Sequence, residues 1–316
     1  MSYIAIAVLA YFLVAIEVIL DKFLITSKRV SHPSIYTFYV GMMSLFALMF
    51  FPFGFHMLSF PHALFSIVSG IIFVYGLLAL FFAIDKSEAS RVMPVVGAII
   101  PIVTFLLSIF VLTERLRIVQ LWGVAALIIG GLLISFEFPL RNKNRFFHGF
   151  YLSIVAGILL AIAFTWFKHF YDQDNFANVF IWTRFGLFLG SASLFAHRDW
   201  RKKIWDSFGG FKSPQKEHYK TGALFVVNKA LGGVGSIMTH YAIALGSVTI
   251  VNALVSVEYV FILIIGFVMS FHFPRIFQEK SDALNITQKV VSILIIAVGL
   301  ILISVKFKQL WELLGH

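Results

Sequence analysis

The sequence predicts an all-α integral membrane protein, and its composition supports this fold class in three ways. Hydrophobic residues make up 60% of the 316 residues, charged residues make up 13%, and the mean hydropathy is +0.93. Soluble domains contain about 45–50% apolar and about 25% charged residues. The 37 Phe residues exclude a disordered chain. The absence of Cys excludes disulfide scaffolds, thiolate metal sites and cysteine nucleophiles.

Ten stretches of the chain are long and apolar enough to cross a membrane as helices. A helix needs about 20 apolar residues to cross roughly 30 Å of hydrocarbon, and every backbone amide there must be bonded internally. The runs lack the alternation of barrel strands and exceed their length. The predicted spans are 3–24, 34–52, 62–84, 91–112, 118–136, 149–170, 177–196, 221–244, 247–269 and 287–305. The first span has no basic N-terminal region and carries acidic residues, so we expect it to be retained.

Basic residues are distributed unequally between the two faces of the predicted membrane protein. Most Lys and Arg residues lie in the loops after the odd-numbered spans, whereas Arg115, Arg117, Lys306 and Lys308 lie on the other face. The positive-inside rule then places both termini outside the cytoplasm, in what we expect to be the plasma (inner) membrane. The net charge of +10 fits anionic lipid headgroups and requires no nucleic-acid partner.

Two further segments are amphipathic. Within 197–208, the side chains of Trp200, Ile204, Trp205 and Phe208 can share one face over basic neighbours. This pattern is typical of an interfacial helix that lies on the membrane. The tail 306–316 is a weaker version. A lipid-anchoring role is the first interpretation of both segments, and docking of a partner is the alternative.

The chain carries a weak internal repeat that divides it into two halves. The predicted division is 1–136 for the first repeat (helices 1–5), 137–147 for a connecting loop, and 148–305 for the second repeat (helices 6–10). An odd number of spans in each half places the halves in opposite orientations, as in many transporters. The features that recur in order are Lys22 and Lys168, Gly41 and Gly186, Phe82–Ile84 and Tyr241–Ile243, Gln120 and Gln288, and Gly131 and Gly299.

Several motifs of the first half resemble the EamA repeat. These are Phe82–Pro94 (FAIDKSEASRVMP), Pro101, Leu112–Glu114 (LTE), Gln120–Gly123 (QLWG) and the end of the first span, Leu20–Phe23 (LDKF). The resemblance covers the whole chain as two EamA units and implies a ten-helix permease of the drug/metabolite transporter superfamily. It also implies cytoplasmic termini, contrary to the charge bias. A chain with both halves can form its cavity alone, so a monomer is sufficient and a dimer is possible.

Three ionisable residues lie deep within the predicted spans. They are Glu17 in the first span, Lys229 in the eighth and Glu258 near the centre of the ninth. A charge at this depth costs about 2.5–3.5 kcal/mol, so it marks a cavity or an ion pair. Lys229 can neutralise one glutamate and leave the other free to bind a proton reversibly, which is the minimum for proton coupling. Lining of a central cavity and a structural ion pair both remain open for each residue.

Other polar residues of the spans complete the predicted substrate and coupling site. They are Asp21, Tyr75, Asn228, Asn252 and Tyr259. Asp21 has a second interpretation, shared with Lys22, Lys168, His169 and Arg184, in which the side chain reaches the interface by snorkelling. His240 is interpreted as a packing residue. Leu231–Ser236 (LGGVGS) lies inside a span with no preceding strand, so it indicates close helix packing and not a nucleotide loop.

A carrier for a small polar metabolite is the function that these features favour. A cavity with two carboxylates and a lysine suits an amino-acid-like zwitterion, moved by alternating access and driven by protons. The alternatives are a flippase of a lipid or lipid-linked sugar, a channel or scaffold, and an intramembrane enzyme. An enzyme is disfavoured because Asp172–Asp174 and His197–Asp199 are isolated pairs without a third ligand. No cofactor, metal or catalytic residue is expected.

Overall fold

A computed structural model describes residues 2–25, 32–86, 89–135, 149–209, 217–272 and 283–304. All regular structure in these ranges is helical. The α-helices are α1 (Tyr3–Ile25), α2 (Pro33–Met43), α3 (Phe60–Lys86), α4 (Ala89–Val111), α5 (Ile118–Ser135), α6 (Phe150–Tyr171), α7 (Phe176–Ser193), α8 (Arg198–Gly209), α9 (Glu217–Leu245), α10 (Val248–Ala253), α11 (Val255–His272) and α12 (Ala283–Ser304). Two 3₁₀ segments extend α2 and α7, at Ser44–Phe53 and Leu194–Ala196. The predicted connecting loop 137–147 and tail 306–316 lie outside the described residues.

Nine of the ten predicted spans are long and apolar enough to cross a membrane in the described part of the chain. The other predicted span corresponds to α9, which has 29 residues and is therefore long enough. Its described part carries Asn228, Lys229 and His240, which lower its average hydropathy. The predicted fold class, an all-α membrane protein with about ten spans, is confirmed.

Two predicted spans are interrupted helices. The second changes from α-helix to 3₁₀-helix at Ser44, whose Oγ donates to the carbonyls of Gly41 and Arg184, and it contains Pro52. The ninth is divided between α10 and α11 at Leu254, whose backbone N–H bonds to carbonyls of the preceding turn. Hydropathy registers length and apolarity only, so it could not have located these changes in backbone geometry.

The halves of the chain pack against each other through reciprocal helix pairs. Helix α3 packs on α6 and α1 packs on α9, while α4 packs on α6 and α1 packs on α11. Further contacts join α3 to α7 and α5 to α12. The α3–α7 contact depends on small residues, because a Cβ at Gly70 would overlap the α7 backbone and one at Gly186 would overlap the backbone of Ile67.

The α3–α7 contact predicts a large difference between two glycine substitutions. We expect Gly186→Val to lower the free energy of unfolding by about 1–3 kcal/mol, because the added carbons have no room against α3. Gly233→Ala in α9 is the control, since its Cβ would meet open space and the helix gains up to about 1 kcal/mol of propensity. Thermal unfolding in detergent measures both. Equal stability of the two variants would contradict this packing.

Helix α8 confirms the predicted helix at 197–208, and the structure shows what covers its apolar side. Ile204 is fully buried and packs with Phe38 of α2, while the Tyr39 hydroxyl lies 3.0 Å from Ser207 Oγ. Trp205 remains 70% exposed. Part of the predicted lipid-facing surface therefore packs on the protein itself, and Trp205 stays available to the interface.

The start of α2 is capped by a histidine. His32 Nδ1 accepts from the backbone N–H of Ser34, and Pro33 follows at the first helical position. Burial, with Lys203 adding to it, lowers the pKa of His32 below its ordinary 6.5, while Asp85 acts in the opposite direction. The neutral ring is therefore the one that the folded protein favours.

The cap makes stability depend on pH near neutrality. As pH falls below 6.5, His32 is protonated in the unfolded chain before it is protonated in the folded protein. We therefore expect the free energy of unfolding to fall until the pH drops below the pKa of His32 in the folded protein. His32→Asn keeps a side-chain cap without titrating, and its melting temperature should depend less on pH. His62→Asn, at an exposed histidine, should keep the wild-type profile. Identical profiles for all three proteins would contradict this assignment.

Candidate functional site

An ion pair links α1 to α9 within the membrane-spanning part of the structure. Lys229 Nζ lies 2.8 Å from Glu17 Oε1 and 3.3 Å from the Tyr36 hydroxyl. The side chains of Lys229 and Glu17 are only 14% and 19% exposed. Gly232, one turn beyond Lys229, permits this approach, because a Cβ there would overlap the Glu17 carboxyl. The structure therefore brings together two of the three deep ionisable residues that the sequence singles out.

Glu258 is the second deep carboxyl, and it differs from Glu17 in its surroundings. The residue is only 6% exposed. Within the described residues, its carboxyl has no hydrogen bond and no salt bridge to a cation. Glu17, Tyr11 and Tyr259 lie within electrostatic range of it. Lys229 thus neutralises one glutamate of the core, and no cation of the described residues lies beside the other.

Two tyrosines near Glu258 hold the surrounding helices together. The Tyr11 hydroxyl donates to the backbone carbonyl of Val251 at 2.9 Å, which joins α1 to α10. The Tyr259 hydroxyl donates to the carbonyl of Met93 at 3.3 Å and lies against Gly97 of α4. Tyr259 was predicted as a site residue, whereas Tyr11 was not, because a tyrosine in an apolar run gives no signal that distinguishes a core position from a lipid-facing one.

The remaining predicted site residues are dispersed. Asn252 donates to Thr104 Oγ1 at 3.2 Å and joins α10 to α4, and Asn228 is fully buried in α9. Tyr75 lies 2.8 Å from Ser193 Oγ at the α3–α7 contact and is 38% exposed. Asp21 belongs to α1, but its side chain lies outside the described residues. Four of the predicted site residues therefore lie near one another. Glu17 pairs with Lys229, and Glu17 and Tyr259 lie within electrostatic range of Glu258.

A second buried polar cluster contains Arg184, Tyr171 and His240. Arg184 is 8% exposed and His240 is 2% exposed, and the Tyr171 hydroxyl lies 3.3 Å from His240 Nδ1. The guanidinium carbon of Arg184 lies 4.5 Å from the ring centroid of Phe180. The sequence suggested snorkelling for Arg184, yet its side chain points into the protein. Its place near the middle of the seventh span was the signal that could have identified it.

The membrane face at which α1 begins, here called the N-terminal face, is tightly closed. The Tyr3 ring packs directly on Gly246 in the α9–α10 turn, and Thr249 Oγ1 lies 3.4 Å from Glu114 Oε2. Other contacts on this face join Asn175 to Gly54, His56 to Asp174 and Lys168 to Ala244. These contacts join α1 to the α9–α10 turn and α6 to α9 on this face.

The described residues contain no group of three or more His, Asp or Glu side chains that could hold a metal ion. Their buried charged side chains include the Glu17–Lys229 ion pair, the Glu258 carboxyl without a cation beside it and the Arg184 guanidinium without an anion beside it. This arrangement can bind opposite charges and exchange a proton.

In the described part of the chain, nine apolar helices long enough to cross a membrane and the buried charged groups among them define an integral membrane protein with a polar core. Residues 1–136 match the sequence profile of the EamA-like transporter family, which confirms the resemblance predicted from the motifs. The matched residues correspond to the first predicted repeat and contain helices α1 to α5. EamA is a family of transporters and not of enzymes.

The chain is also similar to individual proteins. An uncharacterised protein of Methanocaldococcus jannaschii is 39% identical over 71 residues, which cover 22% of this chain and 51% of the relative. The chain thus matches about half the length of this curated relative. A crystal structure of another protein aligns with 99% of this chain and 98% of its own, with a TM-score of 0.62 and 16% identity. The two proteins therefore share a fold over both halves of this chain.

Proposed function

We propose that the protein is a secondary carrier that moves a small polar metabolite, amino-acid-like in its charges, by alternating access coupled to protons. The observation that carries this proposal is Glu258, a carboxyl buried among the membrane spans with no cation beside it in the described part of the chain. Such a group can bind a proton or a cationic part of the solute, and each would neutralise it.

The reciprocal packing supports two inverted halves, with the boundaries 1–136 and 148–305. The α3–α6 contact has its counterpart in α1–α9, and the α4–α6 contact has its counterpart in α1–α11. This exchange of partners is expected when two five-helix units are related by a pseudo-twofold axis in the membrane plane. Since both units belong to one chain, a monomer is sufficient for transport.

The closed N-terminal face supports alternating access. Its contacts are a ring on a glycine and hydrogen bonds between short polar side chains, as for Tyr3 with Gly246 and Thr249 with Glu114. Contacts of this kind can separate and re-form as the halves rock about the polar core. With the orientation that the charge bias predicts, this face is the outer face of the plasma membrane.

The charges of the polar core favour a zwitterionic solute. Glu17, Lys229, Glu258 and Arg184 offer both signs of charge within the spans, and a solute that carries an ammonium and a carboxylate can satisfy both. A protonated Glu258 would require no cationic partner. Binding and release of a proton at this carboxyl is the coupling step of the proposal.

Solute counterflow in proteoliposomes tests the carrier directly. A thermal-shift screen of amino acids, sugars and nucleobases at two pH values selects the solute, since a ligand at about 100 times its dissociation constant stabilises by about 2.7 kcal/mol. We expect vesicles loaded with that solute to take up its labelled form transiently. Continuous current without counterflow would indicate a channel, and movement of labelled lipid alone would indicate a flippase.

A further inference from the structure

Arg184 is a buried cation whose charge is not balanced by the described residues. The residue is only 8% exposed and lies near the middle of α7. Atom Nη2 is inaccessible and has no hydrogen-bond partner among the described residues. The backbone carbonyl of Arg184 accepts a hydrogen bond from Ser44 Oγ.

Aromatic rings surround the guanidinium and the polar groups beside it. The guanidinium carbon lies 4.5 Å from the centroid of Phe180 and 6.0 Å from that of Phe73. His240 packs among the rings of Phe164 and Phe167, at centroid distances of 5.8 and 5.3 Å. The result is an apolar enclosure, here called the Arg184 enclosure, that is formed by α3, α6, α7 and α9.

The rings alone do not satisfy this side chain. A guanidinium remains protonated in proteins and presents N–H donors in its own plane. The faces of Phe180 and Phe73 attract the charge from above the plane, but they accept no in-plane hydrogen bond. A carboxylate matches the guanidinium fork and supplies both the missing acceptors and the missing negative charge. Tyr171 and His240, which share one long hydrogen bond of 3.3 Å, can reorient toward a second oxygen.

We propose that the Arg184 enclosure is the subsite that binds the carboxylate of the transported solute, and that this solute is an organic monocarboxylate with an apolar body. This inference rests on the proposed carrier function and specifies its substrate class. A single positive charge is balanced by one negative charge, which disfavours a phosphate dianion in this apolar place. The phenyl rings of the enclosure supply contacts for the uncharged part of the solute.

Ligand-induced stabilisation of the full chain in detergent tests the subsite with defined probes. The probes are 3-phenylpropionate, its neutral amide, and L-phenylalanine, which adds an ammonium group. We expect wild type to bind both carboxylates more tightly than the amide. Arg184→Gln should weaken the carboxylates by roughly 10- to 100-fold and leave the amide unchanged, since the charge and its charge-assisted hydrogen bonds to the carboxylate are lost. Lys202→Gln, at an exposed cation of α8, is the matched control and should bind as wild type.

Each outcome of this experiment decides the proposal. Equal binding of 3-phenylpropionate by wild type and Arg184→Gln, or no preference of wild type for carboxylate over amide, would overturn it. Arg184→Lys keeps the charge but loses the fork, so it should bind the carboxylates with intermediate affinity. That variant also serves if Arg184→Gln does not fold. Counterflow that persists without carboxylate preference would overturn the subsite alone, whereas carboxylate binding without counterflow would overturn the carrier alone.

Discussion

Glu258→Gln is expected to abolish uphill accumulation of the solute while leaving counterflow intact. The substitution keeps the size of the buried side chain but removes its ability to bind and release a proton. In wild-type vesicles, one pH unit can drive at most about a tenfold accumulation for one proton per solute, because a tenfold ratio corresponds to 1.36 kcal/mol. In the variant, the internal concentration should rise no higher than the external one. Uptake of the labelled solute against an imposed pH gradient measures the difference.

The control for this prediction is Asp172→Asn. Asp172 is 49% exposed and pairs with Lys168 outside the polar core, so its neutralisation should leave accumulation at the wild-type level. Accumulation by Glu258→Gln equal to that of wild type would exclude Glu258 as the coupling group. Loss of counterflow as well would indicate that Glu258 binds the solute and does not only carry the proton.

Breaking the Glu17–Lys229 pair from one side is expected to cost more stability than removing both partners. Glu17→Gln or Lys229→Met leaves one charge without its partner at 14–19% exposure, for which losses of roughly 3–5 kcal/mol are typical. The double variant leaves neither charge and should recover most of that loss. Thermal unfolding of the four proteins gives the coupling energy as a double-mutant cycle.

The Lys168–Asp172 pair provides the matched comparison for this cycle. It has a similar N–O distance of 2.7 Å, but Asp172 is half exposed, so its coupling energy should be about 0–1 kcal/mol. If the coupling energy between Glu17 and Lys229 is no larger than this, the prediction that the buried pair is the more strongly coupled one is wrong. A double variant less stable than both single variants would indicate that each side chain packs independently.

Much of the fold could be predicted from the sequence, because the bilayer imposes one requirement on every span. A run of about 20 apolar residues must be helical, and nine predicted spans meet that criterion in the described structure. The change to 3₁₀-helix at Ser44 and the break at Leu254 were not predicted. They depend on hydrogen bonds, such as the one from Ser44 to Arg184 in another helix, that no local pattern encodes.

The candidate site was predictable in part, because the bilayer also makes charged residues rare within spans. Depth in a span identified Glu17, Lys229 and Glu258, since charges are rare there. The sequence could not decide which glutamate Lys229 pairs with, because the register of α1 against α9 depends on tertiary contacts such as Gly232 with Glu17. Arg184 was misjudged because a long basic side chain can snorkel from either half of a span, and only its surroundings show that it does not.

The proton flux that accompanies solute movement tests the central claim most directly. Wild-type protein is reconstituted in vesicles that contain a pH-sensitive dye, at zero membrane potential, and the selected solute is added outside. The proposal predicts a change of internal pH that depends on the solute and is absent in Glu258→Gln vesicles. Solute movement by wild type without any change of internal pH would contradict proton coupling through the buried carboxyl.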